Sequence, residues 1–218
     1  MVSDVRSDAG EVPSEGPSLC VFLPVIRDWT RETVCAAIAA SDIPRGRLLL
    51  LLDAPGCEGW ERSLSELGFH VEVTATGNGY PPEDRIERRS RWRAMRRFSQ
   101  TLVPDGPTLF LEDDVLVCPD LYARLFAAGP NATGIVRGRY KGHHPVVYPL
   151  SSRCGTGVEP IAGCGYNCLL TTGEAYRAAL IGDGDGPTDF EHTSQVRPLV
   201  ADWGCKCGHL TPNGTLTL

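Results

Sequence analysis

Short apolar runs alternate with amphipathic segments along the first 129 residues. The first run, residues 19–25, follows a polar leader and predicts a buried strand. Asp28 or Thr30 is suited to cap the helix that follows, because either side chain can accept from a free backbone amide. The same pattern predicts strands at 47–52, 70–74 and 108–111 and helices at about 28–40, 58–67, 83–102 and 119–129, with Pro119 at the first position of the last helix and Gly68 and Gly129 as stop signals.

The pattern changes after Gly129. Glycine, proline, cysteine and histidine become dense, the strands look short, and one further helix is predicted to about residue 180. Thr171 and Glu174 have the spacing of a capping box for that helix. Strands that alternate with helices imply right-handed βαβ units and a mainly parallel sheet, whose ligands gather beyond the carboxyl ends of the strands.

Composition indicates a single compact α/β domain. The chain has 218 residues, of which 42% are hydrophobic and 22% charged, which is enough to bury a sizeable core. Residues 1–17 are predicted to be a disordered leader and residues 211–218 a polar tail. No basic segment precedes an apolar one at the start, and no run approaches the roughly 20 apolar residues that cross a bilayer. We therefore expect a soluble, cytoplasmic protein without membrane contact.

The nine cysteines are expected to be reduced thiols, because the count is odd and no export signal accompanies them. Cys164, Cys168, Cys205 and Cys207, together with His209, form one candidate zinc site. Their spacings, with three and one intervening residues, differ from those of regular zinc fingers. A non-enzymic zinc-binding module therefore remains an alternative.

Arginine is concentrated in one predicted helix, although the net charge of −6 argues against a generally nucleic-acid-coating surface. Seven arginines lie between residues 85 and 97. Helical periodicity places Arg85, Arg89, Arg93 and Arg97 on one stripe and turns Trp92, Met95, Phe98 and Leu102 towards the core. The stripe can bind a diphosphate, bind a polyanionic acceptor such as DNA, or simply face solvent.

Three consecutive carboxylates follow the strand at residues 108–111. Glu112, Asp113 and Asp114 repel one another and lose hydration at the edge of an apolar core, so they need a cation or a raised pKa. Mg²⁺ or Mn²⁺ satisfies such a cluster with carboxylates, waters and substrate phosphates. An acidic turn after an ordinary strand is the alternative.

The segment FLEDDVLVCPD at residues 110–120 resembles the DxD region of GT-A fold, family-2-like glycosyltransferases of small bacterial and phage type. Glu112 and Asp114 stand at its two acidic positions. The resemblance covers residues 18–210 and implies a single-domain, Rossmann-like sheet with helices on both faces, a nucleotide-binding half at 18–129 and an acceptor half at 130–210. It also implies a cytoplasmic enzyme of a bacterium or phage-infected host that transfers sugar from a nucleotide diphosphate sugar, expected to be a UDP-sugar, to an acceptor hydroxyl.

The resemblance assigns roles to individual residues. Asp114 and His209 are expected to bind Mn²⁺ or Mg²⁺, with Glu112 at the ribose or a metal-bound water, and Asp189 or, preferably, Glu191 as the general base. The expected donor-binding residues are Pro24, Arg27, Asp53, Arg89, Arg93, Glu112, Asp113, Gly163 and Gly165.

Two questions stay open at this point. A sugar-nucleotide nucleotidyltransferase is an alternative enzyme, but it would need a glycine-rich, lysine-bearing loop after the first strand, which residues 24–28 lack. The acceptor can be a hydroxymethylated DNA base reached through the Arg85 to Arg97 stripe, a protein, or a soluble glycan or metabolite.

Overall fold

A computed structural model describes residues 18–139, 145–148, 155–183 and 188–216 of the chain. The predicted leader at 1–17 lies outside the described residues. The helices are α1 (Arg31–Ala39), α2 (Gly59–Glu66), α3 (Arg85–Leu102), α4 (Leu121–Ala128), α5 (Gly173–Ala178) and α6 (Thr188–Thr193). The strands are β1 (Cys20–Val25), β2 (Arg47–Leu52), β3 (His70–Ala75), β4 (Pro107–Leu111), β5 (Val115–Leu116), β6 (Ala132–Arg139), β7 (Pro145–Tyr148), β8 (Val158–Pro160), β9 (Cys168–Thr172), β10 (Val200–Thr211) and β11 (Gly214–Leu216).

The first four strands form a parallel unit in the order β3-β2-β1-β4, joined by helical crossovers. β1 lies inside this unit because all six of its residues are buried, which suits a strand flanked by strands and covered on both faces. Parallel register brings the carboxyl ends of β1, β2 and β4 to one edge of the sheet. Arg27, Asp53 and the three acids therefore lie near that edge.

The sheet is parallel from β3 to β4 and contains antiparallel pairs beyond β4. Strand β9 pairs antiparallel with both β4 and β6, and β10 then pairs parallel with β6. Periodicity did not predict this reversal, because the first four residues of β9 are all buried and read like a parallel core strand. The antiparallel strand joins the two halves of the molecule into one continuous sheet.

Helices cover both faces of the sheet, as predicted. Alternate residues of β1 face opposite sides, with Leu23 in one apolar cluster and Phe22 in the other. The first cluster contains residues of α1, α2 and α4, such as Trp60. The second contains residues of α3 and α5, such as Met95 and Tyr176.

The predicted helix starts differ from the observed ones by one to three residues. Helix α4 begins at Leu121 instead of Pro119, because the Asp42 carboxylate accepts from the Tyr122 and Ala123 amides at 2.8 Å each. Helix α5 is capped by Thr172, whose hydroxyl accepts from the Ala175 amide at 3.2 Å.

Two residues with predicted roles at that cap serve elsewhere. Thr171, the predicted cap, lies within β9 and donates to Asn131 Oδ1 at 2.6 Å. Glu174 accepts from the Gly106 amide at 3.0 Å and not from the predicted cap residue.

Phe98, which was predicted to face the core, is 39% exposed, while Arg96, which was not, is 1% exposed. The predicted tail contains β11, which pairs antiparallel with the end of β10. Helix α6 was not predicted from the sequence. Among the described residues, no helix is both long and apolar enough to cross a membrane.

Candidate active site

The carboxylate of Asp113 braces the site. Its Oδ2 accepts from the backbone amides of Ile26 and Arg27 at 2.7 Å each, and its Oδ1 accepts from the Arg27 guanidinium. Burial raises the pKa of Asp113 to about 6, against the opposing effect of Arg27. A side chain committed to these contacts holds the loop after β1 against the end of β4. The expected contact of Asp113 with the donor stays a prediction.

Asp114 and His209 lie together although 95 residues separate them in the chain. Asp114 Oδ2 is 3.2 Å from His209 Nε2 and 3.1 Å from Arg27 Nη1. Pairing of β5 with β10 produces this contact, because His209 lies opposite Val115 and the Leu210 amide donates to the Asp114 carbonyl at 2.7 Å. Oδ1 of Asp114 is buried and has no hydrogen-bond partner among the described residues.

Glu112 is positioned from the opposite side. Its Oε2 accepts from Asn167 Nδ2 at 2.7 Å, and its Oε1 is 3.5 Å from Arg96 Nη2. Burial raises the pKa of Glu112 to about 8, with the charges of Asp114 and Asp189 acting in the same direction. Gly165 permits this contact, since a Cβ there would lie 2.4 Å from Asn167 Oδ1.

Arg96 is the basic group that the structure brings to the acids. It is 1% exposed, and its Nε donates to Asp189 Oδ1 at 3.1 Å. Its guanidinium carbon lies 4.2 Å from the centre of the Tyr166 ring, a cation–π contact. Nη1 has no hydrogen-bond partner among the described residues. Neither Arg96 nor Asn167 was predicted as a site residue from the sequence. The helical spacing of Arg96 from Trp92 and Ser99 is the signal that places it on the inner face of α3.

The expected stripe on α3 divides among several roles. Arg89 is half-buried, Arg93 is 8% exposed, and Arg97 pairs with Asp183. The Arg85 side chain lies outside the described part of the chain. The stripe is therefore not a continuous exposed row.

Asp53 is buried in a network at the end of β2. It accepts from Thr76 Oγ1 at 2.7 Å, Asn78 Nδ2 at 2.8 Å and Arg91 Nε at 2.9 Å. A small pocket opens beside it, lined by Ile26, Asp53, Pro81, Arg88, Arg91 and Trp92. Asp53 therefore holds these three side chains in place at the edge of the sheet where a nucleotide was expected to bind.

The remaining candidates differ in their access to this edge. Pro24 is buried within β1 opposite Leu51. Gly163 packs against α6, where a Cβ would lie 2.9 Å from the Phe190 ring and 3.0 Å from its carbonyl. On α6, Asp189 reaches Arg96, while Glu191 is half-buried and its carbonyl accepts from Ser194 at 2.7 Å.

Comparison with known proteins places this geometry in context. No protein-family model matches the sequence, and no curated protein matches it. Among solved structures, S. aureus TarS aligns with a TM-score of 0.55 at 8% identity, over 85% of this chain and 35% of TarS. TarS 1–349 with UDP-GlcNAc aligns with a TM-score of 0.54 at 8% identity, over 85% of this chain and 56% of that one.

A third solved structure, determined with a different nucleotide sugar, is also similar in fold. The mannosyltransferase PcManGT of Pyrobaculum calidifontis, in complex with GDP-Man and Mn²⁺, aligns with a TM-score of 0.50 at 13% identity, over 89% of this chain and 56% of its own. The chain has a GT-A-like glycosyltransferase fold. It spans between about a third and just over half of these chains, and at such low identity the likeness shows the fold alone.

Replacement of Asp113 by Ala is expected to destabilise the protein, because two partly buried amides and the Arg27 guanidinium lose their acceptor. Each unsatisfied buried group costs about 1–3 kcal/mol, so we expect a loss of roughly 3 kcal/mol in the free energy of unfolding. Denaturant unfolding measures it, with Asp120→Asn as the control, since the Asp120 side chain is 59% exposed. An unchanged midpoint for Asp113→Ala would show that the brace contributes nothing.

His192 is expected to make the protein sensitive to acid. It is 1% exposed, its Nε2 donates to the Ala179 carbonyl at 3.0 Å, and burial and Arg96 lower its pKa from 6.5 to about 4. Between pH 6.5 and pH 4, His192 is therefore protonated in the unfolded chain but neutral in the folded one. This contribution to the free energy of unfolding is complete above pH 6.5 and is lost as the pH falls towards 4.

The size of this effect is on the order of 3 kcal/mol at the acid end. His192→Gln cannot titrate, so its unfolding free energy should fall less than that of the wild type between about pH 7 and pH 4. Equal losses in the two proteins would contradict the assignment.

Proposed function

We propose that this protein is a metal-dependent glycosyltransferase that moves a sugar from a nucleotide diphosphate sugar to an acceptor hydroxyl. The observation that carries the proposal is the pairing of Asp114 with His209 at the carboxyl end of β4. Asp114 retains a buried oxygen without a partner among the described residues, in a sheet of glycosyltransferase type.

The residues present fit a divalent metal. Asp114 offers carboxylate oxygens and His209 an imidazole nitrogen, a mixed donor set that suits Mn²⁺ better than Mg²⁺. Arg27 already supplies positive charge at 3.1 Å from the same carboxylate, so Asp114 has a cationic partner in the absence of a metal. A metal held there would offset the charge on the leaving diphosphate.

The donor would approach the open edge formed by β1 and β2. The pocket beside Asp53 lies at that edge, and Trp92 offers it an apolar surface. UDP-sugars are the first donors to test and GDP-sugars the second; the compared structures contain UDP-GlcNAc in one case and GDP-Man in another.

Asp189 is the general base in this proposal. Its side chain is 28% exposed, so an acceptor can reach it, while its contact with Arg96 fixes one carboxylate oxygen. Arg96 also lies 3.5 Å from Glu112, and so connects the base to the acidic turn. The sequence preference for Glu191 has weaker support, because the contacts of Asp189 lead to the site.

A hydroxymethylated DNA base is the second candidate acceptor. Arg88 is exposed and lines the pocket beside Asp53, and positive charge there favours a polyanion. The case is weaker than the sequence suggests, since Arg91 bonds Asp53 and Arg96 is buried. Incubation of both acceptor classes with nucleotide sugars and Mn²⁺, followed by mass spectrometry of the products, distinguishes them.

Asp114→Asn is expected to lower transfer by about 100-fold or more, because several kcal/mol of charge stabilisation is lost. His209→Ala should raise the Mn²⁺ concentration for half-maximal rate by about tenfold. Both are measured by product formation across a Mn²⁺ titration, with Asp120→Asn as the control. Wild-type rates for Asp114→Asn at limiting Mn²⁺ would overturn the proposed metal site.

Asp189→Asn is expected to lower kcat for transfer by about 100-fold or more, because the group that accepts the acceptor proton is removed. Donor binding and its Mn²⁺ dependence should remain, since Asp114 and His209 are intact. Glu191→Gln, two residues away on α6, is the matched variant. If Glu191→Gln lost activity and Asp189→Asn kept it, the roles would be reversed.

A further inference from the structure

Four cysteines from three parts of the chain meet in the apolar core. Cys118 lies between β5 and α4, Cys168 begins β9, and Cys205 and Cys207 lie two residues apart on β10, on one face of the strand. The sulfur atoms of Cys118, Cys205 and Cys207 lie within 4.8 Å of one another. The Cys118 and Cys205 sulfurs are 3.5 Å apart, and the Cys168 thiol contacts Cys207.

These separations suit a shared metal ion better than a disulfide. In a tetrahedral zinc site each Zn–S bond is about 2.3 Å, which places the sulfur atoms about 3.8 Å apart. A disulfide requires about 2.05 Å between its sulfurs. The 3.5 Å between the Cys118 and Cys205 sulfurs is close to that value, and the Cys207 sulfur lies within 4.8 Å of both. Cys168 joins this group through its contact with Cys207.

The neighbouring strand leaves room for the cluster. Gly134 on β6 faces it, and a Cβ there would lie 2.8 Å from Cys205 Sγ and 3.0 Å from Cys168 Sγ. The same glycine therefore contacts sulfurs from β9 and β10, the two strands that flank β6. Only a residue without a side chain lets these sulfurs approach each other across the central strand.

The chemistry of these side chains matches zinc. Zinc binds cysteine sulfur tightly and accepts four such ligands.

We propose that Cys118, Cys168, Cys205 and Cys207 bind one structural zinc ion. Binding releases the remaining thiol protons to solvent, and no group is oxidised or reduced. The ion would join the turn after β5 to β9 and β10. His209 lies on β10, while Asp114 directly precedes β5 and Asn167 directly precedes β9. The zinc would therefore hold the strands beside the candidate site together without entering the site itself.

This set differs from the one predicted from the sequence. Cys164 lies in the apolar cluster on the other face of the sheet, where its backbone amide donates to Thr193. His209 contacts Asp114 instead. The residue that the sequence missed is Cys118, which is distant in the chain from the other three and reaches them through the β5–β10 pairing.

Metal analysis of the full-length protein tests the proposal. After dialysis against a chelator that removes weakly held Mn²⁺, we expect about one zinc per chain, retained in Asp114→Asn. Cys207→Ser should lose the zinc and melt at a lower temperature. Cys57→Ser is the control, because Cys57 is a buried thiol in the same apolar cluster but outside the set. Absence of zinc from the wild type, or equal zinc in Cys207→Ser, would overturn the proposal.

A second measurement does not depend on the folding of a variant. Replacement of the metal in the wild type by Co²⁺ should give thiolate-to-cobalt charge-transfer absorption and the visible bands of a tetrahedral site. A cobalt spectrum without sulfur ligation would contradict the assignment. So would a Cys118–Cys205 disulfide, found by mass spectrometry of the alkylated, unreduced protein. Since these readouts require no donor or transfer, the zinc site and the proposed activity can fail independently.

Discussion

The contact between the Asp113 carboxylate and the two amides after β1 fixes the geometry on which the candidate site depends. It joins the ends of two adjacent parallel strands by hydrogen bonds of 2.7 Å. With Asp113 committed in this way, the residues on either side of it, Glu112 and Asp114, lie free of that contact and can serve chemistry. The contacts of the middle acid therefore hold the two strand ends together, and we propose that its neighbours bind the metal and the donor.

The other half of the site depends on β10. This strand runs for 12 residues and pairs with β6, β8, β5 and β11, so it links the periphery of the sheet to the acidic turn. His209 reaches Asp114 only because β5 and β10 pair antiparallel. The four-cysteine cluster lies along the same strand, which is why we expect a metal there to stabilise the position of His209.

Local patterns predicted the parts of the fold that depend on periodicity. The four parallel strands, the helices between them and the acids at the end of β4 all follow from apolar runs and their stop signals. The direction of β9 was not predicted, because burial on both faces removes the alternation that would distinguish an antiparallel strand from a parallel one. Helix α6 was not predicted either. Asp114 and His209 were paired through resemblance, which supplied a long-range contact that spacing alone does not.

Arg96 shows most clearly why the binding residues were harder to predict. Periodicity treats arginine as a surface residue, so the stripe through Arg89 and Arg93 was assigned the phosphate role. Cation–π contact with Tyr166 and the carboxylates of Asp189 and Glu112 compensate for its burial. Asp189 lies on α6, Glu112 directly follows β4, and Tyr166 precedes β9. Only the folded chain brings these three residues together around Arg96.

We propose that Asp114 and His209 form a divalent-metal site for a nucleotide diphosphate. Electron paramagnetic resonance measures Mn²⁺ binding to this site directly, because binding attenuates the signal of the free aqueous ion. We expect the wild-type protein to bind about one Mn²⁺ per chain, and to bind it more tightly when UDP or GDP is present. The Asp114→Asn variant should not bind Mn²⁺. Equal Mn²⁺ binding by the two proteins, or none by the wild type with either nucleotide, would contradict it.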